Sequence, residues 1–367
     1  MNENSSLSPK PLSITSLICR LEPLLFLLPL ALPIIAWQLG RIIGNYWITT
    51  WFSPVFFLLI IPCLDHWIGE STTNPPEAFN HQFSASPIAR TLPMLTLPCW
   101  IGVFFWGLSL LDNFNALQLI GWAITLSFIG GICLINVAHE LIHRNTKLER
   151  AIGGLLLASI LNLTFKIEHI RGHHRHLATA KDHSTAVFGD SVYRFMPKAI
   201  MGNFHRTWQL ERARIQAQGL TWFSTDIIPY GLYSLLLATM ISLLFGIKAL
   251  VFFIIVSVIT NALLEVINYI EHYGLSRQQG TQLVPIGVEH SWNSNSRLSN
   301  ALVLNLQRHS DHHVNAARPY PSLRNLPNSP QLPYGYAAMI SIALLPPLWR
   351  RVMDPRVLAL KMPIQQN

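Results

Sequence analysis

Six stretches of this chain, residues 23–39, 46–64, 92–111, 119–138, 227–245 and 250–270, are apolar almost throughout. Each is close to the roughly 20 residues an α-helix needs to cross about 30 Å of hydrocarbon. Backbone polar groups inside a bilayer must be satisfied within their own segment, so such stretches are expected as helices. The expected fold is therefore all-α: a polytopic membrane protein with six transmembrane helices. Composition agrees, because only 12% of the residues are charged where a soluble domain carries about 25%. Half of the residues are hydrophobic, which excludes a disordered chain. Two shorter apolar stretches, 151–165 and 334–348, are too short to cross and read as re-entrant, interfacial or packed on the bundle; Pro346 and Pro347 interrupt the second. A polar tail over residues 1–22, with Lys10 and Arg20, precedes the first span without a small-residue cleavage site, as in an uncleaved anchor. The polar segment 71–86, with Pro75 and Pro76, reads as an ordered or interfacial connector.

The net charge of +8 is distributed unevenly. Twelve of the 26 Lys and Arg lie between Ala138 and Ile227, and nine more follow Ile270. The connections 112–118 and 246–249 hold only Lys248. By the positive-inside rule the two basic segments, 139–226 and 271–367, face the cytoplasm together with both termini. The expected organisation is one membrane domain over 1–367, and the expected location is a bacterial inner membrane. No basic run interleaves with aromatics on a soluble module, so nucleic acid is not an expected partner. Cys19, Cys63, Cys99 and Cys133 are far apart in sequence and form no CxxC pair, which excludes a zinc knuckle or a rubredoxin-like iron site within the chain.

The fifteen histidines are nearly as numerous as the eighteen Asp and Glu, and nine of them cluster. His139 and His143 stand in His-Glu-Leu-Ile-His-Arg at the end of the fourth span. His169, His173 and His174 stand in Glu-His-Ile-Arg-Gly-His-His. His272 closes the sixth span in Glu-His-Tyr-Gly, and His309, His312 and His313 stand in Arg-His-Ser-Asp-His-His. Residues three or four apart share a helical face, so His139 with His143, His169 with His173, and His309 with His312 and His313 are expected to converge. Neutral imidazole is the commonest metal ligand, with its second nitrogen held by an outer acceptor. Glu140, Glu168, Glu271 and Asp311 lie close enough in sequence to orient rings. The remaining histidines, His66, His81, His176, His183, His205 and His290, are mostly isolated and fit surface or loop roles, His176 and His290 being nearest the clusters.

His139-Glu140-x-x-His143 also matches the zinc-protease pattern, with two ligands on one face and Glu as base. An intramembrane zinc metalloprotease is thus an alternative, but it uses two of nine histidines. A catalytic zinc takes about three protein ligands, whereas nine imidazoles suit two ions with four or five each. Iron with oxygen activation is compatible with all-nitrogen sites, and copper and zinc remain chemically open. A passive metal transporter would place its ligands near midplane, not at one face.

The four motifs, in this order, resemble those of the integral-membrane alkane 1-monooxygenases (alkane hydroxylases) within the membrane fatty acid desaturase–hydroxylase superfamily. His-Tyr-Gly at His272, Tyr273 and Gly274 separates that group from desaturases generally. The resemblance extends to Asn74-Pro75-Pro76-Glu77, Ser291-Trp292-Asn293-Ser294-Asn295 and Leu306-Gln307-Arg308 before His309. It continues through Pro330-Gln331-Leu332-Pro333, Gly335-Tyr336 and Arg351-Val352-Met353-Asp354-Pro355, covering residues 64–355. Arg144 stands where many relatives have Lys, and His183 where Pro often follows the counterpart of Asp182. The resemblance implies a six-helix fold with a non-haem di-iron centre. Its nine ligands would be His139, His143, His169, His173, His174, His272, His309, His312 and His313. It also implies hydroxylation of the terminal carbon of alkanes or related alkyl chains by O₂. The electrons would come from rubredoxin, or from a ferredoxin with its reductase. Xylene-type side-chain monooxygenases share the histidine pattern, so alkyl arenes and fatty acyl chains stand beside alkanes as substrate classes. Glu140, Asp182, Asp190 and Asp311 are candidates to orient ligands or carry protons. The apolar substrate is expected to enter from membrane lipid, along a channel for which Trp47, Trp51, Phe52, Phe56 and Phe57 are candidates.

Overall fold

The computed structural model describes residues 22–76, 86–277 and 284–361. The N-terminal tail with Cys19, most of segment 71–86 with Glu77 and His81, and the last residues lie outside this range. Among the described residues there is no strand, only two isolated bridges, Glu70 with Ser296 and Asn293 with Gln331.

Among the described residues five helices are long and apolar enough to cross a membrane: Leu24–Ile43, Tyr46–Ile68, Ala89–Asn113, Ala116–Ile142 and Ile227–His272. The first contains α1 (Leu28–Ile43). The second is α2 (Tyr46–Val55), a π-helical turn Phe56–Ile60 and α3 (Ile61–Ile68). The third is built on α4 (Pro87–Ser109), which begins on a proline where an N–H would be orphaned anyway. The fourth joins α5 (Ala116–Ile129), a π turn Gly130–Ile135 and α6 (Asn136–Ile142). A capping box between Asn115 and Gln118 opens it, satisfying two donors that the first helical turn leaves free.

The fifth and sixth expected spans form one 46-residue element, α10 (Ile227–His272), because no polar loop separates them. Gly246 breaks it at φ 79°, a conformation open to glycine. At that break Lys248 Nζ reaches Asp112 Oδ1 at 2.8 Å and the Leu111 carbonyl at 3.0 Å. The two charge-poor connections therefore meet at one end of the bundle. The histidine motifs that close α6 and α10 lie at the far ends of those helices.

The spans pack through small and hydroxyl side chains. Ser127 Oγ donates to the Val256 carbonyl at 3.2 Å, and Thr260 sits against Gly130, where a Cβ would meet its Oγ1 at 3.0 Å. Small residues of this kind let membrane helices approach closely when no hydrophobic effect drives them together. Leu235, Leu243, Val251 and Val258 stay exposed on the outside of α10, as lipid-facing residues do.

The shorter apolar stretches do not cross. Residues 151–165 contribute to α7 (Lys147–Ala158), packed on α6, and to the start of α8 (Phe165–Glu168). Residues 334–348 form α13 (Tyr336–Ala343) and the first turn of α14 (Pro346–Lys361). A long helix, α9 (Val192–Gln218), lies between the second and third histidine motifs. Two short helices, α11 (Arg297–Leu302) and α12 (His309–Val314), sit in a segment tied together largely by side-chain amides. Asn293 exchanges hydrogen bonds with Ser310, donating to Oγ at 2.6 Å and accepting from the backbone N–H at 2.8 Å. Gln307 accepts from the Tyr336 N–H at 2.9 Å, which fixes α13 to the start of α12.

Candidate metal centre

Local helix geometry decides where each imidazole points. His139 and His143 lie one α-turn apart at the end of α6. The π turn before them is stabilised by Asn136, whose Nδ2 donates to the Gly131 and Ile132 carbonyls at 3.3 Å. His169–His173 form a third π turn, closed by the His174 N–H on the His169 carbonyl. A π turn runs its hydrogen bonds from i to i+5 and so aligns residues five apart. His169 is thereby aligned with His174 rather than with His173. On α12, His309 and His313 share a face, while His312 lies about 100° around the helix.

The nine clustered histidines fall into two groups. His139, His143, His169, His174 and His312 form the first; His173, His272, His309 and His313 form the second, with the facing ring nitrogens of each group within 4.8 Å of one another. In the first group Nε2 of His169 lies 3.1 Å from that of His143 and 3.0 Å from that of His174. His174 is in turn 3.0 Å from His312. In the second, His309 Nε2 lies 3.2 Å from His272 Nε2 and 2.9 Å from His313 Nε2. The His174 and His313 rings, 4.5 Å apart, join the groups side by side. The expected pairs His169–His173 and His309–His312 are therefore divided between groups, because the π turn and the α-helical register turn them apart.

These nitrogens suit a metal better than they suit each other. A neutral imidazole carries one N–H and one lone pair, so five rings converging on one point cannot all be satisfied by mutual hydrogen bonds. His139 Nε2 is buried without a hydrogen-bond partner among the described residues. Burial pushes His143 down to about 4, and holds His169, His174, His309, His312 and His313 well below the ordinary imidazole range. These rings are neutral and present lone pairs, as a metal requires.

His173 differs. Burial lowers its pKa, but the charge and hydrogen bond of Asp182 outweigh that and raise it. Its Nδ1 lies 3.0 Å from Asp182 Oδ2, and Asp182 is held down at about 2: burial would raise it, but His173 and the hydroxyl of Thr185 dominate. This leaves His173 Nε2 facing the group, the usual carboxylate–histidine–metal arrangement. His272 Nδ1 is 3.3 Å from the carbonyl of His290, an acceptor that belongs to the backbone.

The other acidic candidates have different partners. Glu140 pairs with Arg144 at 2.6 Å and accepts from the Tyr320 N–H. Asp311 accepts from the Arg324 N–H and pairs with Arg318. Asp190 pairs with Arg194 and Lys198 on α9. Glu271 is, beside Asp182, a second carboxylate that meets the second group: Oε2 lies 3.2 Å from His309 Nε2, and Oε1 accepts from Tyr336 O–H at 2.8 Å. Its place next to His272 was visible in sequence; its contact with His309 was not, being set by long-range packing. The protease alternative finds no support here. His139 and His143 share their point with three further imidazoles, and Glu140 is held by Arg144.

An apolar cavity runs to both groups. Its walls include Phe57, Phe128, Ile132, Leu263, Leu302 and Ile340, and its inner end is lined by His139, His169, His173 and His309. Of the five second-span aromatics expected to line a channel, Phe57 alone lines it. Trp47 is exposed, Trp51 lies against Gly121, and Phe52 and Phe56 stack on each other at 5.9 Å outside the cavity wall. Side chains of one helix cannot all face one cavity, since successive residues are turned by about 100°.

Comparison with known proteins places this architecture. The fatty acid desaturase family model matches residues 115–343. The chain is 41% identical over 320 residues to "Alkane 1-monooxygenase 2" of Alcanivorax borkumensis, covering 85% of this chain and 83% of that one. It is 42% identical over 332 residues to "Alkane 1-monooxygenase 2" of Pseudomonas aeruginosa, covering 88% and 87%. It is 27% identical over 322 residues to "Xylene/toluene monooxygenase hydroxylase component XylM" of Pseudomonas putida, covering 85% and 82%.

Proposed function

Because the chain belongs to the fatty acid desaturase family and, within it, to the alkane 1-monooxygenases, we propose that this integral-membrane oxidoreductase is a di-iron hydroxylase of terminal alkyl carbons. The observation that carries this reading is the meeting of nine imidazoles, in groups of five and four, with the inner end of an apolar cavity. The nine histidines are the proposed ligands, one iron to each group. Bound iron would supply the activation of O₂. The overall reaction inserts one oxygen atom into a C–H bond and reduces the other to water, consuming two electrons and two protons.

This chain's residues have definite tasks in that reading. The cavity walls hold an alkyl chain by apolar contact and leave the reacting carbon beside the histidines. The same walls keep water away from the reacting centre. Asp182 fixes the ring of His173, and the carbonyl of His290 fixes that of His272. Glu271, bridged to Tyr336, is the ionisable group placed where cavity and second group meet.

The break at Gly246 divides α10 into arms of 19 and 26 residues, each long enough to cross, so the proposed topology has six spans. Both basic segments and both termini would face the cytoplasm of a bacterial inner membrane, in a single domain over 1–367. The chain has no flavin motif, dinucleotide loop or cysteine iron site, so a separate carrier, rubredoxin or ferredoxin with its reductase, is the proposed electron source.

The deciding experiment is turnover of alkanes and alkyl arenes under ¹⁸O₂ by the membrane-embedded protein with a co-expressed carrier. One ¹⁸O atom in a primary alcohol, with two irons per chain, is the expected result. Unlabelled product, or zinc in place of iron, would overturn the reading.

A further inference from the structure

His272 is followed by Tyr273 and Gly274, and the hydroxylation chemistry above assigns neither a task. The Tyr273 hydroxyl accepts the Gly189 N–H at 2.9 Å and donates to Asp354 Oδ1 at 2.7 Å. Gly274 has φ +72°, and its N–H donates to the Ala186 carbonyl at 2.9 Å. A Cβ there would meet Val357 Cγ1 at 2.8 Å and Phe188 Cδ2 at 3.4 Å. The two residues thus fasten a metal-ligand segment to the loop 186–190 on one side and to α14 on the other.

That loop reaches the surface. Val187 is 68% exposed and Phe188 37%, an apolar knob outside the membrane-spanning helices. Basic residues surround it. Arg350 of α14 donates to the Gly189 carbonyl at 3.2 Å, and Arg194 and Lys198 of α9 are exposed beside Asp190. Arg351 and Arg356 add exposed charge on α14. Asp190 and Asp354 are the carboxylates in contact with these segments, and both have partners. Beneath the knob lies a buried aromatic cluster, with Tyr273 and Trp349 ring centroids at 5.3 Å and Tyr269 and Trp349 at 4.8 Å. Tyr273 is one peptide bond from His272.

We propose that the loop 186–190 with the adjoining face of α14 is the docking surface for an acidic one-electron carrier, and that electrons enter the second histidine group through Tyr273. The inference rests on the hydroxylase reading. Each docking transfers one electron from the carrier's reduced iron centre, which is oxidised, to the metal held by His272, which is reduced; two dockings supply one turnover. An apolar contact inside a charged rim suits a transient, salt-sensitive complex. A second basic area, around Lys147, Arg150, Lys166 and Arg171, carries a smaller excess of positive charge: four cations with Asp226 and Glu211 in contact, against Arg194, Lys198, Arg350, Arg351 and Arg356 with Asp190 and Asp354 at the proposed surface.

The test uses the full-length protein in lipid nanodiscs, with a reduced acidic rubredoxin as probe; as a carrier-independent control the irons are reduced anaerobically with dithionite, the excess is removed, and O₂ is then admitted for a single turnover. Lys198→Glu combined with Arg351→Glu should weaken rubredoxin binding and raise its apparent KM by roughly tenfold at low salt. Dithionite-driven alcohol formation should be unchanged, and Lys147→Glu should leave rubredoxin binding as in the wild type. Tyr273→Phe should slow electron transfer at unchanged KM, with the Mössbauer spectrum of the resting iron intact. The proposal is overturned if the double variant shifts binding by less than about twofold, if Lys147→Glu shifts it equally, or if the wild type binds no rubredoxin. Absence of alcohol with dithionite in the wild type would instead sink the hydroxylase reading, since rubredoxin binding is measured without turnover.

Discussion

Asp182 Oδ2 lies 3.0 Å from His173 Nδ1, and both side chains are sealed from solvent. The carboxylate is itself held by the Thr185 hydroxyl and the Ser184 N–H. Outer acceptors of this kind fix ring orientation and raise ligand basicity, and their loss typically costs metal affinity about 10–100-fold. Asp182→Asn should therefore lower iron affinity by about that factor, read by chelator competition. An affinity within about twofold of the wild type would show that the contact does not support a ligand.

His312 and His309 belong to different groups although they are three residues apart. His312→Ala should release the iron of the first group and His309→Ala that of the second. Either should reduce alkane hydroxylation by more than about 100-fold, beyond the cost of losing an outer partner. Metal analysis with Mössbauer spectroscopy would distinguish the two residual irons. Identical residual spectra would refute the division into two groups.

Gly131 lines the cavity, and a Cβ built there meets nothing within 4 Å. Gly131→Ala should accordingly be tolerated. Gly131→Phe should fill the cavity and displace the reacting carbon, lowering turnover of long alkanes on the order of 10²-fold while iron content stays normal. Equal turnover of long and short substrates by the Phe variant would show that alkyl chains take another path.

Glu211 of α9 joins Arg214 and Arg171, the latter within the π turn that carries His169 and His173. Burial would raise its pKa, but hydrogen bonds from Arg214 and Thr225 and the charge of Arg171 hold it below the ordinary Glu range. A depressed carboxyl stabilises the fold above its unfolded pKa of about 4.3, and that contribution is lost as pH falls through the lower folded value. Glu211→Gln should cost about 1–3 kcal/mol at neutral pH. The difference from the wild type should fade below about pH 4, as thermal unfolding in detergent would reveal. A gap that persists unchanged into acid would mean that packing, not charge, sets the effect.

Much of the fold was legible because lipid imposes a simple rule: an apolar run of about 20 residues satisfies its backbone only as a helix. The four undivided spans follow that rule closely. The last two, expected separately over 227–245 and 250–270, form one element because Gly246 redirects the helix without a polar loop. The channel aromatics were not legible, since Trp47, Trp51, Phe52, Phe56 and Phe57 project in several directions from one helix. The acidic partners were legible only in part. Proximity in sequence suggested Glu140, Asp182, Asp190 and Asp311 alike, but Glu140, Asp190 and Asp311 pair with Arg144, Arg194 and Arg318, and of these four only Asp182, nine positions beyond His173, meets a clustered ring.

The sequence by itself determined that this chain occupies a membrane and that nine histidines recur at helix-end spacings, because hydropathy and residue type are local properties. The folded structure, through local helix geometry and the packing of separate elements, decided which imidazoles share a point. His169 is matched to His174 by a π turn, and His312 and His313 diverge to different groups because adjacent residues on an α-helix face about 100° apart. It also decided what Tyr273 and Gly274 hold. Their partners, Gly189 and Val357, are more than eighty residues away in opposite directions along the chain, and only folding brings them beside His272.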